Sequence, residues 1–150
     1  MAELLPNREQ ARKLVVSLAV FWAAWGIGVT AAGAGVPALL GLVVPIGLVF
    51  GFRFFLTLYR VWEPETGESA WRVMFVPSFS RRRSRALRGH TFDLFKPSWI
   101  GHTLRETGWN PSFVGYGLMG LLAADLVIAV TVFPNFPVGS FVTLSQPAGR

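Results

Sequence analysis

Residues 14–32 carry no charged side chain, and after Gly33-Ala34-Gly35 a second uncharged run covers 36–52. That second run continues as Arg53-Phe54-Phe55-Leu56-Thr57-Leu58-Tyr59, so the apolar stretch reaches about Tyr59. A third apolar run occupies 111–133. Each approaches the roughly 20 residues that cross a hydrocarbon core about 30 Å thick. A helix on the surface of a soluble core carries a polar stripe along one side, and these runs carry almost none. The expected fold is therefore an all-α membrane protein with three transmembrane helices: a helical hairpin, a long cytoplasmic segment and a third helix.

Composition agrees. Apolar and aromatic residues make up 52% of the 150 and charged residues 15%, against about 25% charged in an ordinary soluble domain. Disorder, a collagen-like repeat and a soluble globular domain are all excluded. The chain has no Cys, which removes disulfides, thiolate metal sites, Fe–S clusters and cysteine nucleophiles. Its Arg-rich, Lys-poor usage fits a GC-rich prokaryotic genome.

The run Ala32-Gly33-Ala34-Gly35 before Pro37 predicts a tight turn. One continuous helix over 14–59 would be about 69 Å long, more than twice the core thickness, so a hairpin is expected. Pro45 removes a backbone donor inside the second helix and is expected to kink it. Arg8, Arg12 and Lys13 before an apolar run resemble the start of a signal peptide. The run exceeds the usual h-region of about 7–15 residues, and another span follows at once, so cleavage is not expected. Asn110 suits the N-cap and Pro111 the first position of the third helix. Phe133-Pro134-Asn135-Phe136-Pro137 ends it. The resulting boundaries are a cytoplasmic N-terminus over 1–13, a hairpin over 14–62 (helices at about 14–32 and 36–59), a basic, aromatic segment over 63–110, a third helix over 111–133 and a short external tail over 134–150.

Lys and Arg accumulate on the cytoplasmic side of membrane proteins. Here most lie before residue 14 and within 63–110, with Arg53 and Arg60 near the end of the second run, while the hairpin turn has none and the tail only Arg150. This predicts an inner-membrane, multi-pass chain with its N-terminus in and its C-terminus out. Tyr59, Trp62, Trp99 and Trp109 are expected at the interface, where an apolar ring with a polar tip is favoured. Trp22 and Trp25 fall mid-span, where packing on a helix is the commoner reading than contact with a pigment or lipid.

The central segment opens with Glu63, Glu65 and Glu68 around Pro64 and Gly67, read as a turn. An apolar stretch over 71–77 follows. Then come Arg81, Arg82, Arg83, Arg85 and Arg88, with Ser80 and Ser84 among them, and later Lys96. Basic residues beside Phe92, Phe95 and Trp99 suit an anionic lipid surface. They also suit nucleic acid, which is disfavoured because the segment is tethered to the membrane at both ends. A plain topogenic loop explains the charges equally well. Residues 95–109 are expected to form a short interfacial helix capped by Ser98, with Ile100 and Leu104 on one face and Gly101 weakening it.

Asp125 is the only acidic residue inside a span, and an intramembrane carboxylate is costly. It reads as a proton or cation site, an anchor for a basic partner, or a hydrogen-bonded packing residue. Arg53 is its obvious partner. With the boundary at Tyr59 and Tyr116, Arg53 lies about 9 Å deep and Asp125 about 13 Å, within side-chain reach; with entry at Pro111, Asp125 lies about 21 Å deep and pairing fails. Arg53 alone would snorkel to the headgroups. Gly115-Tyr116-Gly117-Leu118-Met119-Gly120 matches the dinucleotide fingerprint by accident, since no strand precedes it. Gly117, Gly120 and Ala124, and the Gly47/Gly51 GxxxG pair, instead suit close helix approach.

His90 and His102 lie outside the spans, and Asp93 and Glu106 are isolated. No zincin, nucleophile-elbow, phosphate-loop or paired-carboxylate pattern occurs. No catalytic residue, metal or cofactor is expected, and enzymatic activity is not the leading reading. That reading is an accessory or scaffolding subunit that meets the lipid bilayer and other membrane subunits, or its own copies. A small homo-oligomeric transporter or channel using Asp125 is the first alternative. A membrane-surface binding protein acting through the basic loop is the second.

Overall fold

The computed structural model describes residues 4–66 and 92–132, and every regular element among them is helical. The first helix, α1, spans Arg8–Gly33. It starts before the apolar run because Asn7 and Gln10 form a capping box. The Gln10 amide donates to Asn7 Oδ1 at 2.9 Å, and the Asn7 amide donates to Gln10 Oε1 at 3.0 Å. Two otherwise orphaned donors are thus satisfied in the polar start of the chain. At the other end Gly35 adopts φ +70°, a left-handed conformation that a side chain rarely takes. The Val36 amide then closes back on the Ala31 carbonyl at 3.0 Å.

The second helix, α2, spans Pro37–Thr66 and remains helical through Pro45. It runs past the expected end near Tyr59 and past the start of the expected acidic turn. The first added turn has a physical cause: Val61 and Trp62, with Leu58, bury themselves against Leu14 and Trp99.

A 3₁₀ turn at Phe92–Phe95 leads into α3, Pro97–Glu106. This helix is shorter than the expected 95–109. Its start is set by Pro97 rather than by a Ser98 cap. Lys96 is held extended at ψ 128° and makes no side-chain capping bond. A residue before proline is excluded from the helical region, so the helix begins at the proline. Gly108, at φ +74°, turns the chain out of α3. The last helix, α4, spans Pro111–Val132. Asn110 Oδ1 accepts from the amides of Ser112 at 3.0 Å and Phe113 at 3.4 Å.

Helix α1 is the central element. Of its apolar stretch 39% is covered, against 6% for each of α2 and α4. Helix α2 packs antiparallel on it, with Gly28 near Val43, Ala24 near Gly47, Phe21 near Gly51 and Leu14 in one cluster with Leu58. Helix α4 packs parallel to it, with Asp125 on Gly26 and Val132 on Gly33. Residues 24 and 26 differ by about 200° around a helix of 3.6 residues per turn, so the two partners take opposite flanks of α1. The three long helices form a row one helix thick. Even on its central member Trp25 and Ile27 are about half exposed, at 50% and 51%.

The large buried side chains gather at one end. Leu14, Leu58, Val61, Trp62 and Trp99 form a cluster bordered by Leu4, Phe54, Tyr59 and Leu94. Trp99 Nε1 donates to the Leu4 carbonyl at 3.2 Å, tying the segment before α1 to α3. Apolar burial drives association only where water is the alternative. In a hydrocarbon layer helices associate through close contact between small residues instead. A hydrophobic cluster at one end and glycine contacts along the helices are consistent with that difference.

Candidate functional site

Asp125 is 8% exposed, and its carboxylate lies directly over Gly26. A Cβ built on Gly26 would fall on Oδ1, and Ile128 stands 3.7 Å from the same point. Among the described residues Asp125 Oδ2 and Ser17 Oγ on α1 are both buried without a hydrogen-bond partner. Thr30 Oγ1, one turn on from Gly26, donates to the Gly26 carbonyl at 2.8 Å.

Arg53 does not reach Asp125. It is exposed, with its guanidinium 5.9 Å from the centre of the Phe50 ring. Gly51 sits level with Phe21, so Arg53 and Asp125 lie about seven residues apart along α1, or about 10 Å at 1.5 Å per residue. They also occupy opposite flanks.

The glycines divide into two sets. A Cβ on Gly47 would meet Ala24 at 3.5 Å, and one on Gly51 would meet the Phe21 ring at 3.1 Å, so both face α1. Gly117 and Gly120 have nothing within 4 Å, and Ala124 is exposed. Gly26 and Gly33, which seat α4, escaped the sequence reading. Their signal is a seven-residue spacing that matches Asp125 and Val132. Glycine is so frequent in membrane helices that the spacing alone does not stand out.

At the Arg8 end of the row, Arg12 Nε donates to the Thr107 carbonyl at 2.7 Å, and its guanidinium lies 5.7 Å from the centre of the Trp109 ring. Thr107 is fully buried; its hydroxyl donates to the Leu104 carbonyl at 2.7 Å and accepts from the Trp109 amide at 3.2 Å. Arg8 covers Gly108 closely enough that a Cβ there would meet its Nη2 at 2.5 Å. Trp62 and Trp99 are buried in the adjoining cluster, at 3% and 6%, whereas Trp109 is 42% exposed. Tyr59 stacks edge-on against Trp62 at 6.0 Å.

An apolar groove of about 370 Å³ opens between α1 and α2, walled by Phe21, Trp25, Val29, Leu40 and Leu48. Among the described residues no group of His, Asp and Glu could hold a metal ion. Lys96 lies at the exposed start of α3. Arg81, Arg82, Arg83, Arg85, Arg88 and His90 lie outside the described residues, as do Ser80, Ser84 and the tail over 134–150.

Three helices long and apolar enough to cross a bilayer, packed in a row, fit a multi-pass membrane protein. No family model matches the chain, and neither does any curated protein or solved structure.

Proposed function

We propose that this protein is a non-catalytic accessory or scaffolding subunit of a larger membrane complex. The observation that carries the reading is the uncovered side of α4. Gly117 and Gly120 have open space above them and Ala124 is exposed, while Asp125 on another face of the same helix is already seated on α1. Small residues at heptad-like spacing admit a second backbone closely, the geometry in which membrane helices associate. Met119 and Val127 frame the opening, at 65% and 64% exposure. The occupant we assign is a helix of a partner subunit.

The cytoplasmic side is assigned to the Arg8 end. Arg8, Arg12, Lys13, Lys96 and Arg105 belong to that end, and residues 33–36 at the opposite end carry no charge. The membrane we assign is the inner membrane.

Purification from native membranes in mild detergent, with mass analysis of what co-elutes, tests the reading. Stoichiometric foreign subunits are expected, and Gly120→Leu should release them while the isolated chain stays folded, because none of the described residues lies within 4 Å of a Cβ at that position. Elution of the chain alone would contradict the proposal. A second reading, a homo-oligomeric transporter, is favoured by the unpartnered buried Asp125 Oδ2. It requires that only copies of this chain co-elute and that Asp125→Asn abolish flux with assembly intact.

A further inference from the structure

Arg8 and Arg12 stand one helical turn apart on α1, and both guanidiniums come to the turn over 107–109. Like charges at this spacing repel. Among the described residues no carboxylate relieves them: the ion pair there is Glu9 with Lys13, and neither arginine pairs with Glu106. Yet the turn is shaped to receive them. Gly108 supplies both the left-handed backbone and the bare surface under Arg8, and the Thr107 carbonyl fixes Arg12. Two oriented guanidiniums with free donors suit the oxygens of a phosphate, which they can bind through paired hydrogen bonds.

We propose that Arg8 and Arg12 form a binding site for the phosphate headgroup of an anionic phospholipid, with Trp109 as its side wall. The lipid source is chosen over free phosphate on the surface that adjoins the site. Trp109 is 42% exposed, and Phe113 and Tyr116 in the next turns of α4 are 79% and 80% exposed. They give an acyl chain an apolar wall at the depth where aromatic residues meet headgroups. This site is separate from the arginine cluster over 81–88. It rests on the Arg8 end lying at a bilayer surface and is independent of the accessory role.

The test is native mass spectrometry of the full chain in micelles, titrated with dioleoylphosphatidylglycerol, dioleoylphosphatidylcholine or soluble glycerol phosphate. The expected result is retention of phosphatidylglycerol over phosphatidylcholine, with little binding of glycerol phosphate. Arg8→Gln should cut the preference about fivefold, the effect of one basic residue near an anionic surface. Arg8 is exposed, and its side chain makes no hydrogen bond among the described residues, so this variant keeps the fold. Arg105→Gln, on the exposed side of α3, should leave the preference unchanged. Equal retention by Arg8→Gln and wild type overturns the site. So does an equal loss in Arg105→Gln, which would reveal only bulk charge. Binding of glycerol phosphate as tight as that of the lipid overturns the lipid assignment. Failure of the wild-type chain to insert into vesicles would sink the membrane reading itself, whereas insertion without headgroup preference removes only this site.

Discussion

Gly26→Leu is expected to lift α4 from α1 and to destabilise the protein by about 1–3 kcal/mol, the usual cost of forcing bulk into a closed contact. The cause is local. A Cβ at this position falls on the Asp125 carboxylate, and the longer side chain runs into Ile128, whose Cδ1 is already 3.7 Å from that Cβ. The short Asp125 side chain has little room to withdraw, since it is 8% exposed. Gly26→Ala should cost less, because a rotation of the carboxylate relieves a single methyl. Adding Asp125→Ala to Gly26→Leu should recover part of the loss, since residues in contact do not act additively. Detergent-titration unfolding of the three variants reads these differences. Gly120→Leu, with open space around it, is the control that should leave the isolated chain unchanged. A Gly26→Leu variant as stable as wild type would mean that α4 does not sit on α1 at this register.

Trp99→Ala should cost more, about 3–5 kcal/mol, because it empties the centre of the buried hydrophobic cluster at the Arg8 end. Trp99 is 6% exposed and packs among Leu14, Leu58, Val61 and Trp62 from two other helices. Its indole also holds the Leu4 carbonyl, so its loss should free the segment before α1. Trp99→Phe separates the two effects. It keeps most of the packing and removes the hydrogen bond, a loss of about 1 kcal/mol. Unfolding by detergent titration measures the stability, and limited proteolysis near residue 4 measures the release. A Trp99→Ala variant with unchanged stability and an uncut N-terminal segment would contradict the described cluster.

The elements legible in the sequence are those set by local chemistry. The uncharged runs give three helices, Gly33 to Pro37 gives the turn, and Asn110-Pro111 gives the start of α4. The Asn7/Gln10 box is equally local, but it lies before the charge-free run, so a span defined by absence of charge starts only at residue 14. What escaped is relational. Trp99 and Leu4, like Thr107 and Arg12, are separated by 95 positions, and no periodicity signals that they meet. The pairing of Arg53 with Asp125 depended on how α2 and α4 are placed about α1. That placement follows from the glycine contacts on the two flanks, which a single helical pattern does not order. Gly47 and Gly51 drew notice through their GxxxG spacing, while Gly26 acts through a residue on a helix 99 positions later.

The row with α1 at its centre is tested most directly by disulfide crosslinking. The chain has no cysteine, so introduced pairs are unambiguous. A Cβ at residue 33 would stand 3.6 Å from Val132 Cβ, and one at residue 47 would stand 3.5 Å from Ala24 Cβ. Both separations fall in the range of about 3.5–4.5 Å that a disulfide requires. The variants Gly33→Cys/Val132→Cys and Gly47→Cys/Ala24→Cys should therefore each crosslink within one chain on mild oxidation in membranes. Crosslinking of the second pair without the first, or a first pair that joins only separate chains, would contradict the placement of α4 on α1.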